Sequence, residues 1–386
     1  MPNYFLTEEQ MMIRDLARQI AEEKVKPVRA ELDEKEEFPW EIVRILAQAD
    51  LFRVWVPEEY GGLGGGTLEL CLATEELSRA CAGVAVTYAG SALGGTPILL
   101  FGNEEQKRKY LPPLASGEKL AAFALTEPDA GSDAAAISTT AKKVEGGYVL
   151  NGTKQWITNG GEAEIYVVIA MTDKTKGARG ASAFIVEKGW EGFGFGKKER
   201  KMGIRASATR ELIFQDCFVP KENLLGREGM GFIVAMRTFD RTRPGIGAQS
   251  VGIAQGALDE ALAYAHQRHQ FGRPISSFQA IQHMLADMAT QIEAARALVY
   301  YAARLIDSGE KDISKISAMA KLFASDVAMR VTTDAVQIFG GYGYMREYPV
   351  EKMMRDAKIT QIYEGTNQIM RNIIAGELIK ELASRR

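Results

Sequence analysis

Cysteine and histidine are scarce in this chain, with three of each in 386 residues. Cys71, Cys81 and Cys217 show no CxxC spacing and cannot all pair, which argues against a zinc ribbon or a disulfide framework. They read most simply as core thiols in a reducing compartment. His266 and His269 have a ligand-compatible spacing that would put them on one helix face, but no Glu-x-x-His motif or further ligand accompanies them, so no metal is expected. Net charge is also small, 47 basic against 50 acidic side chains giving −3, with both signs spread along the chain. Neither a nucleic-acid face nor a membrane-attracted patch is expected. No segment is expected to have the uninterrupted apolar length of a membrane span, and the first residues, Met1 to Glu9, lack a basic region followed by an apolar core. The expected location is the cytoplasm.

Glycine is plentiful, and Pro57 to Gly66 is a glycine-dense turn that invites comparison with nucleotide-binding loops. Its context does not support one. No strand–loop–helix unit with a downstream acidic residue, and no Gly-Lys-Ser/Thr, surrounds it.

The chain is long enough for two or three domains. Thr7 to Gln10 has a capping-box pattern, followed by apolar residues at helical spacing up to Pro27. Further helices fit Trp40 to Ala49, Leu68 to Ala80, the almost wholly apolar Val84 to Leu100, and a segment capped at Asn103 that ends at Pro112. From Lys119 the period changes. Ala121 to Leu125, Tyr148 to Leu150, Ile165 to Met171, Ala183 to Val186 and Glu211 to Phe214 are short β-rich runs between Gly-containing turns, which predicts an antiparallel barrel or sandwich. Helices return at Phe232 to Phe239, Gly245 to Gln267, Ser277 to Ile306, Ser314 to Phe339 and Asn367 to Leu382, with connections suited to an antiparallel bundle. The expected fold class is α+β: an N-terminal all-α domain (1–118), a middle β domain (119–228) and a C-terminal four-helix-bundle domain (229–386).

The stretch from Gln361 to Arg371 places one carboxylate, Glu364, between an apolar segment and the last helix. Dry neighbours such as Ile362 and Tyr363 would raise its pKa toward the range useful for taking a proton from carbon. A carboxylate that merely complements the dipole of the following helix would look the same in sequence.

Seven motifs, in order, resemble the acyl-CoA dehydrogenase family of flavoproteins: Pro57 to Gly62, Leu125 to Asp133, Asn151 to Asn159, Phe239 to Pro244, Arg268 to Gly272, Gln337 to Gly341, and Tyr363-Glu364-Gly365-Thr366. The resemblance covers essentially the whole chain. It implies an FAD enzyme that introduces an α,β double bond into an acyl-CoA, with Glu364 removing the α-proton. It also implies electron-transferring flavoprotein as redox partner and a homotetramer built as a dimer of dimers. Family members of the isovaleryl and long-chain types carry the base at the position resembling Thr242, so threonine there with glutamate at 364 resembles the short- and medium-chain arrangement.

Residue by residue, Phe123, Leu125, Thr126, Ser132, Trp156, Ile157 and Thr158 resemble the groups that hold the isoalloxazine and pyrophosphate. Arg268, Gln270, Phe271, Gln279, Gln337, Gly340 and Gly341, with Thr366 and Gln368, resemble contacts to the adenosine half of FAD bound mainly by a neighbouring subunit. Ser132, Asp240 and Arg243 resemble contacts to the CoA arm, although Asp240 and Arg243 could equally be a helix-surface ion pair. Tyr88 and Ala89 fall where related enzymes set pocket depth, Gly90, Gly94 and Gly95 would thin the wall, and Gly365, which lets the backbone come close to another group, is expected to contact substrate. Glutaryl-type members carry an arginine near the position resembling Val84, so a neutral short- to medium-chain acyl group, compact cyclic or branched ones included, is expected. A reductive enoyl-CoA reductase shares these motifs and a flavin acyl-CoA oxidase shares the fold, although family oxidases usually run much longer and this chain has the dehydrogenase length. A non-enzymatic relative would not need the intact carboxylate.

Overall fold

A computed structural model describes residues 4–384. Helix α1 (Glu8–Ile20) begins on the expected capping box: Gln10 N donates to Thr7 Oγ1 at 3.2 Å and Thr7 N donates to Gln10 Oε1 at 3.0 Å. It widens into a π turn at Ala21–Val25 before Pro27 stops it. Helices α2 (Arg29–Lys35), α3 (Trp40–Gln48), α4 (Thr67–Ala80), α5 (Ala82–Phe101) and α6 (Glu104–Ala115) complete the N-terminal layer. The end expected for α6 at Pro112 is corrected to Ala115. The fixed φ of proline is helical, so Pro112 and Pro113 enter the last turn and remove only two donors, while Ser116 N still donates to Pro112 O at 3.0 Å.

Helix α5 carries no charged residue and is, by length and composition, long and apolar enough to cross a membrane, which corrects the expectation that no segment has that apolar length. Here 72% of that window is buried inside the fold, against α4 and strand β1 (Ala121–Ala124). A Cβ on Gly94 would lie 2.5 Å from the backbone N of Ala122, so only glycine allows α5 to approach β1 this closely. Gly95 likewise admits the Trp55 ring. These two glycines serve domain packing and do not thin an acyl pocket.

The middle domain is an eight-stranded sheet ordered β6-β7-β3-β2-β4-β5-β8, with β1 paired to β4. The strands are β2 (Thr140–Val144), β3 (Gly147–Thr158), β4 (Ile165–Met171), β5 (Ala181–Glu187), β6 (Phe193–Lys198), β7 (Thr209–Pro220) and β8 (Leu224–Leu225). Pairing is antiparallel as expected except that β1 and β2 both run parallel to β4. Strands β2 and β6 had no counterpart in the sequence reading, because exposed lysines in one and Gly194 and Gly196 in the other weaken the β signal.

In the C-terminal domain, α7 (Gly231–Gln267) is one helix of 37 residues, where two separated at Pro244 were expected. Proline cannot donate to the carbonyl four residues back, but that carbonyl, on Asp240, accepts instead from Ser317 Oγ at 2.6 Å. Helices α8 (Gln279–Asp307), α9 (Ser314–Phe339) and α11 (Asn367–Ser384) follow the expected pattern, and α10 (Pro349–Thr360), opened by proline in its first turn, is an additional element. The order is helical domain, β domain, helical bundle. His266 lies in the last turn of α7 and His269 beyond its end on a short strand, β9 (His269–Gln270), so the two do not share a helix face.

Candidate active site

One cleft lies where α4, α5, β1, β3, α7 and the segment before α11 meet. Its lining includes Leu70, Val86, Ala89, Gly90, Leu93, Phe123, Leu125, Thr126, Trp156, Ile157, Thr158, Phe239, Thr242, Ile246, Tyr363 and Glu364. Glu364 is the one ionisable carboxylate on that wall, and no Lys or Arg shares it. The expected flavin-ring residues therefore converge with the expected base, except Ser132, which sits exposed on the loop after β1 and outside this lining.

The backbone presents Glu364 in a left-handed conformation, φ 51°, and Gly365 continues it at φ 93°. A left-handed glutamate is strained, and such strain persists only where the surroundings enforce it. Here Tyr363 N donates to Ile359 O and Asn367 N to Gln361 O, each at 3.0 Å, closing the loop on both sides. A Cβ at 365 would meet Met370 Cε at 2.6 Å, the tip of a flexible side chain that can shift, so it is the positive φ that favours glycine here. The Glu364 carboxylate points toward α7 and not back onto α11: Thr242 Oγ1 donates to its Oε2 at 2.8 Å. The capping role belongs to Thr366, whose hydroxyl accepts from Ile369 N at 3.2 Å. Among the described residues the backbone N–H of Glu364 has no backbone or side-chain acceptor.

Burial pushes the Glu364 carboxyl up to about 7, against the opposing pull of the Thr242 hydrogen bond and the positive charges of Arg243 and Lys321. Arg243 Nε donates to the Glu364 carbonyl at 3.2 Å, and its guanidinium pairs with Asp240 Oδ1 at 3.2 Å. Asp240 Oδ2 in turn accepts from Ser314 Oγ at 2.6 Å. Both members of this pair are buried, which corrects the helix-surface alternative. The wall beside the base is set by Tyr363, whose hydroxyl donates to Gln249 Oε1, while Gln249 Nε2 reaches Ala82 O at 3.3 Å.

Tyr88 is a second correction. Its hydroxyl donates to Leu51 O at 2.8 Å and its ring packs on Phe52, so it faces the N-terminal core and is absent from the cleft lining. Its neighbours Ala89 and Gly90 do face the cleft, because adjacent helical residues are separated by about 100°. Val84 is also buried away from the lining. Tyr88→Ala is therefore expected to cost stability in the range of about 3–5 kcal/mol typical of core aromatic truncation and to leave acyl preference unchanged. Chemical denaturation alongside an acyl-CoA panel would check both halves.

Two sequence motifs are joined beneath this cleft by a contact the sequence reading did not anticipate. Lys154 Nζ, fully buried, donates to Glu127 Oε1 at 2.7 Å and to Leu125 O at 2.8 Å. Glu127 also accepts from Ser138 N at 2.6 Å and Thr139 N at 3.0 Å. The clamp ties the Leu125–Thr126 segment to β3. Two residues on, a bulge in β3 leaves Trp156 left-handed, φ 57°, with 59% of the residue exposed. A bulky residue held in that conformation marks an imposed site geometry.

A second cleft, sharing no lining residue with the first, brings together Arg268, Gln270, Gly340 and Gly341, with Tyr264, Phe339 and Tyr342. Arg268 lies over the Tyr342 ring at 5.4 Å. Phe271 is 94% exposed at the tip of the hairpin formed by β9 and β10 (Arg273–Pro274). Gln279, Gln337 and Gln368 are exposed outside this lining, so a single chain does not assemble the whole expected adenosine set.

The sequence matches the acyl-CoA dehydrogenase N-terminal domain over residues 7–118, the middle domain over 122–217 and the C-terminal domain over 229–379. Butyryl-CoA dehydrogenase from Megasphaera elsdenii superposes with a TM-score of 0.95 at 51% identity, covering 97% of this chain and 99% of that one. A chain in a structure described as the electron transferring flavoprotein of Acidaminococcus fermentans superposes with a TM-score of 0.95 at 56% identity, over 97% of this chain and 98% of its own. Acryloyl-CoA reductase (NADH) of Anaerotignum propionicum is 51% identical over 380 residues, 98% of this chain and 96% of that protein. With all three domains matched along the length of the chain, this protein belongs to the acyl-CoA dehydrogenase family.

Proposed function

We propose that the chain is an FAD-dependent dehydrogenase of a neutral, short- to medium-chain acyl-CoA, with Glu364 as the base that takes the α-proton. The observation that carries this reading is a single carboxylate, pushed up to about 7, at the wall of an apolar cleft that the flavin-ring residues also line. The donor set fits a flavin ring: Phe123, Leu125 and Ile157 offer apolar contact, Thr126 and Thr158 offer hydroxyls, and Trp156 is turned outward by its backbone. Bound FAD would supply the acceptor for the electron pair that leaves with the β-hydrogen.

The chain's own contribution is to make a weakly acidic α-proton removable. The unpaired N–H of Glu364 is positioned to donate to a thioester oxygen, where negative charge develops as the proton leaves. Thr242 holds the carboxylate oriented toward the cleft. Because the base must be ionised, proton abstraction is expected to rise with pH through about 7 and then level off. Thr242→Val deletes a donor to the ionised carboxylate, so its acidic limb is expected at higher pH than the parent's. Stopped-flow flavin bleaching by an acyl-CoA, measured against pH in both proteins, checks the sign.

Substrate class follows from charge. With no cationic side chain on the lining, a dicarboxylic acyl group would leave a desolvated carboxylate unpaired, costing several kcal/mol. The butyryl-CoA dehydrogenase likeness favours the short end of the range. Electron-transferring flavoprotein is the proposed redox partner, supported by the likeness to the Acidaminococcus chain. The separation of the two clefts supports a flavin shared between subunits, and the exposed Phe271, Ile379 and Leu382 offer apolar surface for a homotetramer. Three free, buried thiols suit a reducing cytoplasm. Anaerobic titration of the purified protein with a panel of acyl-CoAs tests the reading. Butyryl-CoA should bleach the flavin and glutaryl-CoA should not.

A second direction is favoured by one observation, the reductase relative from Anaerotignum. A carboxyl that titrates near neutrality serves as base for oxidation and as acid for the reverse, so crotonyl-CoA reduction belongs in the same panel.

A further inference from the structure

Helix α9 drives a lysine into the protein interior behind the base. Lys321 is fully buried, and its Nζ donates to Gly365 O at 2.7 Å and to Asn367 Oδ1 at 2.9 Å. Both acceptors are neutral, and no carboxylate lies within ion-pair distance of it among the described residues. An unpaired buried ammonium is costly, and burial pulls this one down to about 7. A neutral donor would satisfy the same two oxygens more cheaply. The charge therefore calls for an explanation beyond packing.

The surroundings supply one. Gly365 O belongs to the left-handed turn that presents Glu364, and Asn367 is the first residue of α11, so Lys321 holds the turn from behind at both ends. Asn367 is itself fixed, its Nδ2 donating to Ser325 Oγ at 2.9 Å and to Asp326 Oδ1 at 2.7 Å. The charged and titratable groups facing Glu364 and Lys321 are Arg243 with Asp240 from α7, Lys321 with Asp326 from α9, and Tyr363 on the adjoining segment. Of these, Lys321 and Arg243 favour the ionised carboxylate, and Glu364 in return favours the ammonium.

We propose that Lys321 is a positioning residue for the proton-transfer step: its ammonium grips the Gly365 carbonyl, fixes the left-handed Glu364–Gly365 turn, and favours the ionised form of the base. The inference rests on the reading of Glu364 as the base. It separates two functions of one side chain, hydrogen bonding and charge, and each can be removed alone.

The test uses the holoenzyme of the parent and of Lys321→Gln, Lys321→Met and Lys321→Arg. Two readouts are taken across the pH range in which Glu364 titrates: single-turnover flavin bleaching by butyryl-CoA, and exchange of the α-protons of a non-oxidisable 3-thia-acyl-CoA into D2O followed by NMR. Lys321→Gln keeps a donor and loses the charge. Its acidic limb is expected to move up by about one pH unit, a loss of about tenfold below neutrality that recovers at high pH, in both readouts. Lys321→Met should add a pH-independent loss, because the turn is no longer held. Lys321→Arg should keep its limb near the parent's, and acyl-CoA affinity should stay within about threefold throughout. Coincident limbs for the parent and the Gln variant overturn the proposal, as does loss of flavin from both neutral variants with full retention by the Arg variant, which would make Lys321 purely structural. A parent that neither bleaches nor exchanges would instead refute the assignment of Glu364.

Discussion

Replacing Glu364 with glutamine is expected to leave a yellow protein that binds acyl-CoA and is not appreciably reduced by it. The loss of a general base alone is worth about 10²–10⁴ in rate. Here Glu364 is the only carboxylate on the cleft lining, so the loss should lie at the upper end or beyond it. Glutamine can keep the contact with Thr242, and the backbone turn is held by Gly365, Arg243 and Lys321, so the substitution removes proton affinity and not architecture. Anaerobic stopped-flow reduction compared with equilibrium binding of the same ligand separates the two effects. Near-parental bleaching in this variant would show that Glu364 only terminates the loop before α11.

The second large effect is expected at Lys154, which makes no contact with Glu364. Glu127 is held down to about 2, although burial opposes this, by the charge and hydrogen bond of Lys154 together with donors from Ser138 and Thr139. Burial pulls Lys154 down to about 8 despite Glu127. The two shifts act oppositely on stability. Glu127 gains from ionisation in the folded state, and Lys154 pays for keeping its proton there, so the intact pair is near neutral, as buried pairs commonly are. Removing one partner is different. Lys154→Met leaves Glu127 buried without its counter-charge, and a loss of about 3–5 kcal/mol is expected, together with weakened flavin retention because the Leu125–Thr126 segment loses its tie to β3. The pH dependence follows from Glu127. Its contribution is complete above the unfolded-state value near 4.5 and is lost as pH falls toward about 2. Denaturant unfolding of parent and variant, repeated at acidic pH, should show the difference between them shrinking as Glu127 protonates.

What was legible in the sequence was periodicity and local chemistry. The capping box at Thr7, the strand Ile165–Met171 and the helix Ser314–Phe339 depend on neighbours close in the chain, and each appears where the pattern placed it. Features that depend on distant partners were not legible. Pro244 reads as a helix break because nothing nearby reveals that Ser317 will take over the Asp240 carbonyl. Tyr88 and Ala89 are adjacent in sequence but point about 100° apart, and only the placement of Leu51 and Phe52 decides which of them meets the cleft.

The base itself was visible as a carboxylate beside Tyr363, but Ile362, expected to help keep it dry, is 47% exposed and outside the cleft lining, and the support of the base was not visible. Thr242 entered only as a position where other family members carry a carboxylate, and the structure shows the two alternative positions in direct hydrogen-bond contact. Lys321 did leave a trace. Ser317, Lys321 and Ser325 recur every four residues on a face of α9 that is otherwise packed with alanine, and all three are buried. A polar stripe on an inward helix face demands partners, and here they are Asp240, Gly365 and Asn367.

The central claim is that Glu364, kept dry and held by Thr242, Arg243 and Lys321, takes the α-proton of a neutral short acyl-CoA while bound FAD accepts the electron pair. The most direct test is anaerobic titration of the purified holoenzyme with butyryl-CoA at a pH above the Glu364 titration near 7. The account predicts a yellow protein whose flavin bleaches on addition of the ligand. A flavin that stays oxidised in the presence of saturating butyryl-CoA would contradict it.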